Sequence, residues 1–250
     1  MGMISEVPFD QESEQIKDYT QNYWNKRAES FCDIRHEELH SDQSGYWLNE
    51  LGRNMRIHAG LRILDVGCGT AFFEALLAPF GCHVTGIDLT EGMIRRGKYF
   101  LGRHEITARL LVMDAEELAF DDGAFDVVLS RNLTWNLPHP DKAYREWHRV
   151  LRPGGLLINF DAEYAKNYHR YDQDSNKAHA SLDDELLEEC HQLYHMLSMS
   201  AIDRPAWDVG VLEEIGFHKI TTDLSVSDRI YREENQFYVP DRMFSIRAVK

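Results

Sequence analysis

The stretch that most constrains the fold covers residues 62–71 and reads RILDVGCGTA. Its apolar start, followed by Asp65, predicts a short buried strand. Gly67 and Gly69 allow a tight backbone turn at a place where a side chain would block a ligand. Thr70 is predicted to cap the next helix, because its hydroxyl can accept a hydrogen bond from an early helical N–H group. A strand, a glycine turn and a helix in this order are typical of nucleotide-like cofactor sites.

The turn differs from the motifs that bind pyrophosphates and phosphates. A dinucleotide-binding Gly-x-Gly-x-x-Gly motif needs a third small residue where this chain has Phe72. A phosphate-binding loop would carry a lysine, which this turn lacks. The turn therefore favours a cofactor without a pyrophosphate, and Asp65 at the strand end favours a positively charged group on it.

Four further strand patterns follow the glycine turn in a regular order. They cover residues 84–88, 110–116, 125–132 and 151–158. Together with the turn they resemble the class I S-adenosylmethionine (SAM) dependent methyltransferases, and within these the small-molecule enzymes of ubiquinone and menaquinone biosynthesis. The resemblance implies an α/β fold with a Rossmann-like seven-stranded sheet. Its implied strand order is 3-2-1-4-5-7-6, with the last strand antiparallel and helices on both faces.

The chain is expected to divide into four regions. Apolar residues at helical spacing in the first forty residues predict a helical segment, and a strand pair is predicted at 217–224 and 243–249. A helix from Asp141 is predicted to end at the Pro153-Gly154-Gly155 turn. The predicted regions are a helical lid (1–45), a SAM-binding core (46–161), a helical insertion covering the substrate (162–206), and a helix and strand pair completing the core (207–250).

The resemblance places SAM, and its product S-adenosylhomocysteine, at the carboxyl ends of the strands. Asp65 suits the methionine ammonium, and Asp88 can accept hydrogen bonds from both ribose hydroxyls. Asp114 can accept from the adenine amino group, while Leu89 and Met93 would wall the adenine. The predicted cofactor contacts are Asp65, Gly67, Cys68, Gly69, Asp88, Leu89, Met93, Asp114, Ala115, Glu116 and Arg131.

Methyl transfer is an in-line displacement from sulfur to a nucleophile. Positioning supplies much of the acceleration, and a general base is needed only when the nucleophile must lose a proton. The candidates for that base are His139, Asp161 and Tyr164, and the resemblance carries no single catalytic residue to this chain. The predicted substrate-binding residues are Tyr23, Trp24, Asn132, Trp135 and Tyr164.

The acceptor atom stays open among N, O, S and C. Acids and aromatic residues in the lid and the insertion favour a polar, amine-bearing substrate. These residues are Tyr19, Tyr23, Trp24, Asp161, Glu163, Tyr164, Tyr168 and Tyr171. Two other function classes stay open: a SAM-binding protein without methyl transfer, and a NAD-dependent oxidoreductase, which Phe72 and the Asp114-Ala115 pair disfavour.

The amino-acid composition limits which binding partners and which cellular compartment are expected for this chain. A formal net charge of −15 disfavours nucleic acid, which needs a basic face. No apolar run approaches the ~20 residues of a membrane span, and the first ten residues lack a signal-peptide layout. Four cysteines without paired spacing indicate reduced thiols. We therefore expect a cytoplasmic protein with a small-molecule substrate. The sequence does not indicate its oligomeric state.

One motif points elsewhere. Residues 36–40 read HEELH and satisfy the H-E-x-x-H pattern of zinc peptidases, with His36 and His40 on one helical face. A peptidase also needs a third ligand and its own surrounding sheet. Cys190, His191 and His195 form a weaker cluster in the insertion. Because the methyltransferase-like core occupies the chain, we expect no catalytic metal.

Overall fold

The computed structural model describes residues 9–167, 177 and 182–250, and their side chains except at 9–12, 198 and 200. Tyr168 and Tyr171, two of the aromatic residues expected near the substrate, lie outside the described residues. No helix among the described residues combines the length and the hydropathy that crossing a membrane requires.

Seven strands form one sheet in the described part of the chain. They are β1 (Arg62–Val66), β2 (His83–Asp88), β3 (Arg109–Val112), β4 (Phe125–Arg131), β5 (Leu151–Asp161), β6 (His218–Asp223) and β7 (Phe244–Val249). Their order is β3-β2-β1-β4-β5-β7-β6, as predicted. Strands β1 to β5 pair in parallel, whereas β7 runs antiparallel to β5 and β6. The predicted fold class is therefore confirmed.

Helices cover both faces of this sheet. They are α1 (Phe9–Leu39), α2 (Asp42–Asn54), α3 (Phe72–Leu77), α4 (Glu91–Arg103), α5 (Pro140–Val150), α6 (Tyr164–Asn167), α7 (Asp184–Met196), α8 (Ala206–Ile215) and α9 (Val226–Ile230). Successive strand residues point to opposite faces, so Ile63 joins the apolar core under α2 and α3, and Leu64 the core under α5 and α8. The sheet is thereby buried on both sides, as a parallel sheet requires.

The turn after β1 holds three residues in the left-handed backbone region. Gly67, Gly69 and Ala71 have φ values of +72°, +54° and +72°. The prediction that Thr70 caps α3 is wrong, since Ala71 is the N-cap and no side chain accepts a hydrogen bond from the first N–H groups of this helix at that position. A glycine turn followed by a left-handed alanine leaves the Thr70 side chain one residue too early to reach the first helical N–H groups.

The predicted helix end at Pro153-Gly154-Gly155 is also wrong, because α5 ends at Val150 and β5 begins at Leu151. Leu151 pairs with Phe125, and pairing resumes at Leu156 opposite Val127, so the proline and glycines form a bulge inside the strand. Gly154 has a φ of +72°, which explains the need for glycine at the bulge.

A buried ion pair network joins the sheet to the helices behind it. The guanidinium of Arg204, whose side chain is 1% exposed, pairs with Asp161 at 2.8 Å and Asp208 at 2.7 Å. Its Nη2 also donates to Thr134 Oγ1 at 2.6 Å, and Tyr144 OH donates to Asp208 at 2.7 Å. The network therefore ties β5, α5, α8 and the loop after β4 together.

Removing the cation of this network should destabilise the fold. Arg204→Met leaves two buried carboxylates without their partner, and breaking a buried ion pair in this way costs ~3–5 kcal/mol. The free energy of unfolding, measured by urea titration, is expected to fall by about that amount. Arg242→Met is the matched control, because Arg242 pairs with Asp228 on the surface and the two side chains are 78% and 59% exposed. Equal losses in both variants would contradict this account.

Candidate functional site

A cavity of about 180 Å³ lies where the carboxyl ends of β1, β2 and β4 meet the side of α1. The strand order reverses its direction between β1 and β4, and open α/β sheets bind their ligands at such a point. Most of the predicted cofactor contacts line this cavity: Asp65, Gly67, Cys68, Gly69, Asp88, Leu89, Met93, Asp114, Ala115 and Arg131. The structure thus brings together residues that lie up to 66 positions apart.

Glu116 is the predicted cofactor contact that does not line the cavity. Its buried carboxylate accepts a hydrogen bond from the His139 backbone N–H at 2.7 Å and pairs with Lys17 at 2.8 Å. Lys17 also binds Asp114 at 2.7 Å. Glu116 therefore supports the loop before α5 and the position of Lys17, one step behind the cavity wall.

Asp88 ends β2 and is held by backbone groups on both sides. Its Oδ2 accepts from Gly69 N at 3.0 Å, and its Oδ1 accepts from Thr90 N at 2.9 Å. Each carboxylate oxygen has a second lone pair, so both can still accept hydrogen bonds from a ligand. Burial raises the pKa of Asp88, and the N–H groups of Thr90 and Gly69 lower it in part.

Asp65 lies beside Asp88 and is 2% exposed. Burial, followed by the negative charge of Asp88, raises the pKa of Asp65 to about 8, although Arg131 opposes the shift. Glu74 on α3 is buried nearby, and neither of its carboxylate oxygens has a hydrogen-bond partner among the described residues. Burial and then Asp65 raise the pKa of Glu74 well above its usual range. This cluster of acids would be stabilised by a cationic ligand group.

Two glycines of the turn make close contacts that exclude larger residues. A Cβ on Gly67 would lie 2.9 Å from Leu133 Cδ1, and a Cβ on Gly69 would lie 3.2 Å from Phe31 Cε1. The N–H groups of Gly67 and Cys68 both donate to the Ile87 carbonyl, at 2.8 and 2.9 Å. The turn is therefore fixed against β2, next to Asp88.

Helix α1 contributes polar contacts that the sequence pattern did not reveal. Three of them are spaced four residues apart. Lys17 donates to Asp114 at 2.7 Å, and Gln21 donates to the Leu89 carbonyl at 2.8 Å. Asn25 accepts from the Gly92 N–H at 2.9 Å. The spacing itself is the signal that could have found them, since residues at i, i+4 and i+8 share one helical face. The partners could not be named from the sequence.

Arg131 lines the cavity, but its guanidinium is occupied by a protein partner. Its Nη2 pairs with Glu38 at 2.8 Å. Its Cζ lies over two aromatic rings, 4.1 Å from the ring centroid of Trp47 and 5.1 Å from that of Phe72. Glu38, whose side chain is fully buried, also pairs with Arg35 and accepts from Trp47 Nε1 at 2.9 Å. Sequence reasoning missed Glu38, because nothing in its helix indicates which strand end it faces.

Four of the five predicted substrate residues line the cavity: Trp24, Asn132, Trp135 and Tyr164. Tyr23 does not; it is buried and packs edge-on against Trp24, with ring centroids 5.2 Å apart. Trp135 contacts both Tyr164 and Tyr194, at 5.6 and 5.3 Å between centroids. These rings form an aromatic wall, to which α7 contributes Tyr194, a residue that sequence reasoning did not single out.

The three candidates for a general base have different positions. Asp161 and His139 are not among the residues that line the cavity. Asp161 is bound by Arg204 and the Trp135 N–H, and His139 Nε2 lies 2.6 Å from Ser13 Oγ. Tyr164 lines the cavity, and its hydroxyl donates to Asn132 Oδ1 at 3.0 Å. Burial raises the pKa of Tyr164 well above its usual range, so it is a hydrogen-bonding group more than a base.

The H-E-x-x-H segment gains a third histidine in the folded chain. His36 and His40 lie beside His104 at the end of α4, with ligand nitrogens within 4.8 Å of one another. All three are exposed, and none lines the cavity. Nitrogens around a tetrahedral zinc lie ~3.3 Å apart, from Zn–N bonds of ~2.0–2.1 Å, so the rings would have to move to form a site.

Comparisons with known proteins agree with this geometry. A family model described as a methyltransferase domain matches residues 64–159. The demethylmenaquinone methyltransferase of Staphylococcus haemolyticus is 30% identical over 190 residues, which cover 72% of this chain and 77% of that relative. The demethylmenaquinone methyltransferase of Listeria welshimeri is 37% identical over 120 residues, which cover 46% of this chain and 50% of that relative. The match thus spans about half the length of the Listeria protein.

A solved structure extends the likeness to the fold. Phosphoethanolamine N-methyltransferase 2 of Haemonchus contortus, in complex with S-adenosyl-L-methionine, matches with a TM-score of 0.58 and 20% identity. The match covers 81% of this chain and 51% of that chain.

Because the three histidines are exposed and lie outside the cavity, we expect them to hold no metal on which the fold depends. The double variant His36→Ala, His40→Ala should keep the folding and the metal content of the wild type, measured by circular dichroism and by metal analysis of the purified protein. Stoichiometric zinc in the wild type, lost in the double variant, would contradict this expectation.

Proposed function

The chain belongs to the class I SAM-dependent methyltransferases, and from that membership we propose that it transfers the methyl group of SAM to a small-molecule acceptor. The observation that carries the proposal is the pair Asp65 and Asp88 at the ends of neighbouring parallel strands. Both line the cavity, Asp65 is buried and Asp88 is half-buried, and no cation of the described residues forms a salt bridge with either. Such a pair favours a ligand with a positive charge and hydroxyl donors, and SAM has both.

The residues around the pair fit the remaining parts of SAM. We propose that Asp65 holds the methionine ammonium and that Asp88 accepts from the ribose hydroxyls through its free lone pairs. Asp114, with Ala115 and the walls formed by Leu89 and Met93, would hold the adenine. Lys17 already occupies one oxygen of Asp114, so the adenine amino group would share that carboxylate.

The other half of the cavity, the acceptor half, is walled by Trp24, Arg27, Trp135, Tyr164 and Tyr194. When bound, SAM supplies an electrophilic methyl group that an acceptor can attack in line. Among the described residues that line the acceptor half, none has a carboxylate or an imidazole. We therefore propose that the chain accelerates transfer by orienting the acceptor and excluding water, without a protein base.

The same considerations weigh against the other classes. A nicotinamide cofactor would need a small residue where Phe72 stands, and Phe72 lines the cavity. The net charge of −15 supports a small molecule over a nucleic acid. All four cysteines are free, which supports a reducing, cytoplasmic location.

We also propose that α1 covers the site, because its residues contribute one side of the cavity.

Ligand binding and turnover test the proposal separately. SAM and S-adenosylhomocysteine, but not NAD, should raise the melting temperature. Release of S-adenosylhomocysteine with an acceptor panel would then distinguish a transferase from a SAM-binding protein without transfer. Stabilisation by NAD alone would contradict the proposal.

Asp88→Ala should weaken SAM binding. It removes the acceptors for two ribose hydroxyls, and hydrogen bonds to charged groups contribute ~1.5–3 kcal/mol each, so affinity should fall by roughly tenfold or more. Isothermal titration calorimetry measures the change, and Asp122→Ala serves as control because its side chain is 80% exposed. An unchanged affinity in Asp88→Ala would mean that the cofactor is misplaced.

The raised pKa of Asp65, about 8, predicts a pH-dependent affinity. A cationic ligand favours the ionised carboxylate, so below pH 8 binding releases a proton and SAM affinity should rise between pH 6 and pH 7.5. Asp65→Asn should flatten this dependence, measured by calorimetry in buffers of different ionisation enthalpy. Asp65 also affects stability in the unliganded protein. Between pH ~4 and pH 8 the carboxyl of Asp65 is protonated in the native state but ionised in the unfolded state. Its contribution to the free energy of unfolding therefore falls as the pH rises through this range. A wild-type affinity that falls from pH 6 to 7.5 would contradict the role of Asp65.

A further inference from the structure

We propose that the acceptor is an anion, a small aromatic acid whose carboxylate or phosphate group pairs with Arg27. This inference rests on the proposed function and assigns its substrate class. It reverses the expectation of an amine-bearing substrate, which the acids and aromatic residues of the sequence had favoured.

Arg27 is the residue that carries the inference. It lines the cavity from the middle of α1 and is only 2% exposed. Its Nε and Nη1 atoms have no hydrogen-bond partner among the described residues, and no carboxylate there forms a salt bridge with it. A buried guanidinium without a counter-ion is costly, because desolvation is not offset by pairing. A ligand anion in the cavity would supply that counter-ion.

The other cations of the cavity wall are already paired. Lys17 binds Asp114 and Glu116, and Arg35 and Arg131 share the carboxylate of Glu38. Arg131, which Glu38 binds, lies near the cofactor acids, where it affects the pKa of Asp65. Among the described cations of the cavity wall, Arg27 is therefore the one left to give the acceptor half a positive charge, inside a protein whose formal net charge is −15. An amine acceptor would be repelled there, whereas an anion would be attracted.

The charge of Arg27 lies close to Tyr23 on α1 and to Cys190 on α7. Burial raises the pKa of Tyr23 and of Cys190, and the nearby charge of Arg27 offsets part of both shifts. The pKa of Asp65 responds instead to burial, to Asp88 and to Arg131. Arg27 thus lies near α7, and Arg131 is the arginine near the cofactor acids. This separation argues that Arg27 binds the acceptor and not the carboxylate of SAM.

The walls beside Arg27 indicate an aromatic body for the acid. Trp24, Trp135, Tyr164 and Tyr194 present rings to this half, and the Tyr164 hydroxyl is used on Asn132. Rings pack favourably against rings, and their exclusion of water strengthens an ion pair between Arg27 and the acid.

Matched pairs of probes test this inference without turnover. Benzoate and benzamide, 1-naphthoate and 1-naphthamide, and phenyl phosphate are titrated by calorimetry into wild-type protein saturated with S-adenosylhomocysteine. We expect at least one acid to bind about tenfold more tightly than its amide, as a hydrogen-bonded charge pair provides. If phenyl phosphate binds more tightly than the carboxylates, the anionic group of the acceptor is a phosphate. If the carboxylates bind more tightly, it is a carboxylate. Equal affinities of each carboxylate and its amide, with phenyl phosphate binding no more tightly than the amides, would overturn the inference.

Variants separate recognition of the anion from folding. Arg27→Met keeps most of the side-chain length and should abolish the preference for acids, while Arg27→Lys should keep part of it. Lys26→Met is the matched control, since Lys26 lies outside the cavity wall and pairs with Glu189. All three should bind S-adenosylhomocysteine as the wild type does.

Stability and cofactor affinity provide two further readouts. Arg27→Met removes an unpaired buried charge, so its denaturation midpoint should equal or exceed that of the wild type. A marked fall in the midpoint would show that Arg27 is a structural residue and overturn the inference. Weaker binding of S-adenosylhomocysteine by Arg27→Met would show that Arg27 binds the cofactor, and this would also overturn the inference. Failure of the wild type to bind S-adenosylhomocysteine would instead contradict the proposed function.

Discussion

The site depends on the negative charge that two neighbouring parallel strands bring to one edge of the sheet. Asp65 near the end of β1 is buried and Asp88 at the end of β2 is half-buried, and among the described residues backbone N–H groups bind only the Asp88 carboxylate. The glycine turn is fixed by two N–H groups on the Ile87 carbonyl, so neither acid can move away from the other. The sheet thus holds an unfavourable arrangement that a cationic ligand would relieve, which is how binding sites commonly store strain.

Helix α1 completes the cavity because it is anchored at both ends. A helix of 31 residues is about 46 Å long at 1.5 Å per residue. Near its start Ser13 contacts His139, and near its end Glu38 pairs with Arg131. The middle of the helix, where Trp24 and Arg27 lie, is thereby positioned over the strand ends. Acids face the cavity from the strand ends, and α1 contributes Arg27 and Arg35, so the charges that line the cavity differ between the sheet and the helix.

The sequence by itself determined the fold and most of the residues that line the cavity at the strand ends. Local rules were sufficient there, because each strand is a short apolar run and each site residue follows directly at its carboxyl end. Parallel pairing then brings Asp65, Asp88 and Asp114 to one edge whatever the remaining contacts are. Local rules failed at Thr70 and at Gly154, where a left-handed residue and a strand bulge shift an element boundary by a few positions.

Only the tertiary structure decided the acceptor side and the roles of the remaining polar residues. The sequence made Asp161 a candidate general base, yet in the fold its carboxylate is bound by Arg204, 43 positions further along the chain. The sequence analysis did not single out Arg27, yet it is buried, and its Nε and Nη1 atoms have no hydrogen-bond partner among the described residues. The physical reason is that a charge acquires its role from its neighbours and its exposure. Both are set by how distant helices pack on the sheet, and no local pattern encodes that packing.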